Sequence, residues 1–151
     1  MLPRAPGRFL YDFAVYDSHG RLFALVEAKR RFGTTSSWAR EWYSTAADRS
    51  GQPIDANVVL VAPDRVYVWR HGADNSAAPD LVFDAEPWLA PYFTRLKIPV
   101  HEVDPRVFEQ IVGLWLRDVA EGRPTNDSPA GNASTLLAGL RGGEIVEQAA
   151  A

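Results

Sequence analysis

In the first third of the chain the apolar positions fall in runs of strand length. From Phe9 to Tyr16, aromatic, aliphatic and small side chains mix as they do in strands, and Leu22–Lys29 opens with five apolar residues in succession. Asp17-Ser18-His19-Gly20 between them is a cluster of turn formers, which predicts an antiparallel hairpin. The near-continuous apolar character of the second run predicts a central strand buried on both faces.

Next the period changes. Trp38, Ala39, Trp42, Tyr43 and Ala46 recur at helical spacing, with an N-cap expected at Ser36 or Ser37 and a break at Gly51-Gln52-Pro53. Asn57–Ala62 predicts a buried strand, Pro63-Asp64-Arg65 a tight turn, Val66–Arg70 a returning strand and His71–Pro79 a polar loop. A short helix is expected from about Pro87 to Leu96. A stronger one begins at the N-cap Asp104 with Pro105 in its first position, carries the stripe Phe108, Ile111, Val112, Trp115 and Val119, and ends at Gly122 and Pro124.

Beyond that, Thr125–Thr135 has linker composition, and Ser134–Gln148 predicts a loose helix interrupted by Gly142-Gly143. The expected organisation is a domain over 1–121 and a flexible linker and C-terminal tail over 122–151. The expected fold class is α/β, with a mixed sheet of about four strands flanked by helices.

Bulk composition narrows the classes. With 46% hydrophobic and 23% charged residues the 151-residue chain reads as one folded domain, and its formal charge of -3 argues against a general polyanion-coating protein. It has no cysteine, which excludes disulfides and thiolate metal sites and points to a reducing cytoplasm. No apolar run approaches the length of a membrane span. The three histidines, His19, His71 and His101, lie in turns and loops without metal-ligand spacing. The five tryptophans, Trp38, Trp42, Trp69, Trp88 and Trp115, sit at helix or strand spacing, and most read as core rather than as platforms for stacking bases.

One feature is left over. The central strand ends in Glu27-Ala28-Lys29, two opposite charges one residue apart. If the connection from Asp17 to Gly20 sets Tyr16 opposite Arg21, then Asp12 falls opposite Leu25, and Asp12, Glu27 and Lys29 share one face of the sheet. A three-residue connection would put Asp12 on the other face. Asp17 is the rival acid, but its neighbours make it a turn residue. Two carboxylates and an ammonium on a buried face are costly unless they serve a purpose, and two carboxylates plus a carbonyl are oxygen donors that suit a hard cation.

The order Asp, hairpin, Glu-x-Lys, helix, strand resembles the PD-(D/E)XK nuclease superfamily, the restriction-endonuclease-like fold. Within it, Asn57–Arg70 (NVVLVAPDRVYVWR) resembles the nuclease parts of type I restriction subunits and Holliday-junction-resolvase-like proteins. The likeness covers roughly residues 9–70. It implies a metal-dependent nuclease that hydrolyses DNA phosphodiester bonds in restriction, defence or repair. Asp12, Glu27 and the carbonyl of Ala28 would hold Mg²⁺ or Mn²⁺, and Lys29 would assist in-line attack of water at phosphorus. Arg30, Arg31 and Arg40 form a basic edge suited to phosphate contacts or, equally, a solvated surface. DNA is the expected partner, with a homodimer or a separate motor protein beside it. The alternative is a catalytically inactive relative that binds a partner protein or nucleic acid.

The chain departs from the pattern in two places. Tyr11 stands where the family usually has Pro. Only eleven residues precede Asp12, where the family has a helix, often with another acidic ligand, and a strand. Either the start is truncated, or a later helix or second subunit covers that side of the sheet.

Overall fold

The computed structural model describes residues 11–50, 54–123 and 138–148. Its strands are β1 (Phe13–Tyr16), β2 (Leu22–Ala28), β3 (Asn57–Val61), β4 (Arg65–Trp69), β5 (Leu81–Asp84) and β6 (Glu144–Glu147). Its helices are α1 (Ser36–Ser50), α2 (Glu86–Leu96) and α3 (Pro105–Ala120). They form an α/β architecture around one six-stranded mixed sheet of order β5-β4-β3-β2-β1-β6. The expected four strands lie in the middle of it, and two edge strands are added. Only β2 and β3 pair in parallel, because α1 carries the chain back between them.

The hairpin forms where expected but in another register. Ala14 lies opposite Leu25 rather than Phe23, and Tyr16 opposite Leu22 rather than Arg21, with an irregularity between Val15 and Tyr16. Asp17 causes the difference. Its carboxylate accepts the backbone N–H groups of His19 and Arg21, and its own N–H donates to the Arg21 carbonyl at 2.7 Å, so the turn closes tightly on itself. The bulge then absorbs one residue before the regular ladder starts. The slip amounts to two residues along the ladder. Because side chains alternate, an even slip leaves every face unchanged.

The sheet separates two cores. On one side Phe13, Val15, Val26, Val59 and Val68 meet α2 and α3, where Trp88 and Trp115 stack at 4.9 Å. On the other side Ala14, Leu25, Leu60 and Trp69 meet α1, where Tyr43 stacks on Trp69 at 4.5 Å. Trp69, Trp88 and Trp115 are thus core residues, while Trp38 and Trp42 are half-buried against α1's side of the sheet.

Local signals explain the helix limits. Asp104 caps α3 by accepting the Val107 N–H at 2.8 Å, and Pro105 occupies the first turn, where no N–H is needed. At α1 the cap is Thr35, one residue earlier than Ser36, since its hydroxyl accepts the Trp38 N–H. The break at 51–53 and the linker Thr125–Thr135 lie outside the described residues.

Residues 138–148 were assigned from sequence to a C-terminal tail, yet they pack on the domain. Leu140 is fully buried, the Gly142 N–H donates to the Ala120 carbonyl at 2.7 Å, and β6 runs antiparallel to β1. Instead of the loose helix expected over 134–148, the described part is a short helical turn followed by a strand. Gly143 is the reason for the close approach: a Cβ there would fall 2.3 Å from the Tyr16 carbonyl oxygen.

Candidate functional site

The β1–β2 ladder pairs Phe13 with Val26, so continuing it by one residue sets Asp12 directly opposite Glu27, closer than the diagonal expected from sequence. Asp12 has already left the strand. Its carboxylate turns to accept the Ala28 N–H at 2.8 Å, replacing the acceptor that the ended strand no longer supplies. Its own carbonyl accepts the Gln148 N–H at 2.8 Å.

Glu27 is 6% exposed, one of two buried polar residues among those described. One carboxylate oxygen, Oε2, pairs with Lys29 Nζ at 3.0 Å, and the other, Oε1, is buried with no hydrogen-bond partner. Burial, the neighbouring Asp12 charge and a carboxyl–carboxyl hydrogen bond with Asp12 push the Glu27 carboxyl up to about 7, and Lys29 opposes them. Lys29 is half-exposed and reaches the site from the solvent side. Asp12, Glu27 and Lys29 therefore meet at the carboxyl end of β2.

A third carboxylate was not found from sequence. Glu109 of α3 lies against Asp12, and its carboxyl also rises to about 7, from burial first and then from its contact with Asp12 and the charges of Asp12 and Glu147. Arg106 opposes this rise. Glu109 lies outside the apolar stripe of α3, and nothing in its spacing shows where that helix docks. α3 packs on the sheet face of Phe13 and Val26 and reaches Asp12 through Glu109, while the opposite face, that of Ala14 and Leu25, meets α1. Tyr11, where the family usually has Pro, is buried edge-to-face with Trp42 at 6.0 Å. Burial, Tyr43 and Glu27 all push its hydroxyl further up.

The basic edge divides. Arg30 is exposed but tied down along the surface, its Nε donating to the Val103 carbonyl and its Nη2 to the His101 carbonyl, with the guanidinium 5.1 Å from the Phe32 ring. Arg40 donates to the Ser76 carbonyl at 2.7 Å. Arg31 is exposed and lies over Trp38 at 5.4 Å. Asp17 takes only its turn role. The loop after Lys29 is anchored by a buried set that sequence did not reveal: Asp64 accepts from the Thr34 N–H and hydroxyl, and the Tyr67 hydroxyl donates to Thr34 Oγ1 at 2.8 Å.

A groove of about 1110 Å³ between the β3–β4 turn and α2 is lined by Phe32, Asp64, Phe93, Lys97 and His101 but by none of Asp12, Glu27 or Lys29. The Arg65–Asp84 pair on its wall balances charge rather than favouring an anion.

Among the described residues no three His, Asp or Glu side chains are grouped so as to hold one metal ion. The expected set is smaller, two carboxylates and the Ala28 carbonyl, and its chemistry fits a hard cation. A buried carboxylate oxygen beside a second carboxylate is satisfied by one positive charge, whether a shared proton or a bound cation. Among the described residues no helix is long and apolar enough to cross a membrane. No family model matches the sequence, and no curated protein or solved structure matches it either.

Proposed function

We propose that the chain is a divalent-cation-dependent nuclease of the PD-(D/E)XK type, with a restriction-endonuclease-like fold, acting on DNA phosphodiester bonds. The observation that carries this reading is the buried, half-satisfied carboxylate of Glu27, facing Asp12 and paired with Lys29 at the end of β2. The Lys29 ion pair occupies only one of the two oxygens, and Asp12 stands beside the carboxylate.

In this reading Asp12, Glu27 and the Ala28 carbonyl hold Mg²⁺ or Mn²⁺. The bound cation supplies charge neutralisation on the phosphodiester and acidifies water. Asp12 is fixed by the Ala28 N–H, so the carboxylate needs little reorganisation on binding. Lys29 is half-exposed, and its ammonium can leave Glu27 to orient the attacking water or to stabilise charge on phosphorus. Arg31 is the member of the basic edge free to meet a phosphate from solvent.

One observation favours the inactive module. The Lys29–Glu27 pair is closed at 3.0 Å, and a closed pair is also what a retired site retains. The readings separate in one assay series. Plasmid, single-stranded and branched DNA are incubated with Mg²⁺ or Mn²⁺, and melting is followed with and without the cation. The nuclease reading expects cleavage of at least one substrate and a cation-dependent rise in melting temperature, both abolished in Glu27→Gln. Cation binding without cleavage, or neither, decides for the module.

A further inference from the structure

Asp12 lies one residue beyond the last pair of the β1–β6 ladder, Phe13 with Glu147. A residue just past a strand end frays unless its backbone is tied down. Here the tie is the Gln148 N–H, which donates to the Asp12 carbonyl at 2.8 Å. That donor belongs to a segment docked at several points: Leu140 buried, Gly142 bonded to Ala120, Gly143 against Tyr16, and β6 along β1. The carboxylate and carbonyl of one residue are thus held by two residues far apart in the chain, Ala28 and Gln148.

We propose that the backbone N–H of Gln148 is a positioning group for Asp12, so that the C-terminal segment sets the carboxylate against Ala28 and Glu27. The consequence for cation affinity rests on the cation-site reading above; the positioning does not. Fixing the carbonyl fixes the peptide plane after Asp12, which limits where its side chain can reach. Tyr11 stays anchored against Trp42 without that bond, but the peptide after Asp12 is free to rotate, and the Ala28 N–H loses its acceptor. The side chain of Gln148 has no part in this.

The test separates main chain from side chain in the full chain. Gln148→Pro removes the N–H at a position already following an extended residue, whereas Gln148→Ala keeps it. The readouts are amide hydrogen exchange at Ala28 and Mn²⁺ affinity. Exchange at Val59 and Val68 in the sheet interior serves as reference. Gln148→Ala should match the parent. Gln148→Pro should exchange the Ala28 amide about tenfold faster with the interior unchanged, and should bind Mn²⁺ about fivefold more weakly, the effect of one lost hydrogen bond. An unchanged Ala28 amide in Gln148→Pro would overturn the proposal. So would loss of interior protection, because the contact would then hold the whole fold rather than Asp12. If the Ala28 amide responds but the parent binds no Mn²⁺, positioning stands and the cation-site reading fails.

Discussion

A carboxylate buried against a second carboxylate opposes folding wherever both are charged. Glu27 is in that state, and its effect on stability has a definite sign. Its folded value, about 7, lies above its unfolded one, so the folded protein retains a proton that the unfolded chain has released. Stability from this group is therefore greatest in acid and is lost as pH rises from about 4.5 through 7. For the metal-free protein, urea titrations should give a stability lower at pH 8 than at pH 5, by on the order of 2 kcal/mol from Glu27. Glu27→Gln should remove Glu27's share of that slope, leaving the part due to Glu109, and stabilise the protein at pH 8. Lys29→Met should act the other way, costing about 1 kcal/mol at pH 8 because Lys29 is half-exposed and its pairing screened. It should leave cation binding intact while ending cleavage. The pair Asp12 and Glu27 was legible in sequence because only the parity of the register mattered, and the two-residue slip preserved it. Glu109 was not legible, because its meeting with Asp12 depends on how α3 docks.

Among the elements, those with long uninterrupted patterns were read correctly in kind: the hairpin, α1, β3, β4, α2 and α3. The edge strands were not. β5 is four residues with alternating exposure, and β6 has a glutamate at each end, so neither offers an apolar run to recognise. Gly142 and Gly143 before β6 read as helix breakers in the sequence; in the fold Gly142 takes a positive φ and Gly143 allows a close approach to Tyr16. Gly143→Ala would drive a methyl group into the Tyr16 carbonyl, and we expect a loss of about 1–3 kcal/mol in urea unfolding. Gly113→Ala is a milder case. Its Cβ would stand 3.1 Å from the Phe13 ring, and the cost should be smaller because a ring can shift where a backbone carbonyl cannot. Asp104→Ala should cost about 1 kcal/mol through loss of the α3 cap.

At the scale of the whole molecule, the sheet joins neighbours in sequence everywhere except at β1 and β6, which lie at opposite ends of the described chain. This has a consequence for the order in which the protein is made. The carboxylates at the end of β2 are synthesised early, and α1, β3 and β4 can fold around them while the rest is still emerging. The strand that holds Asp12 arrives last and must close the longest loop in the fold, a slow kind of contact. A nascent chain would therefore carry a folded sheet with an unfinished site until β6 has left the ribosome. The carboxylates at the end of β2 would reach their final arrangement only after β6 has docked on β1.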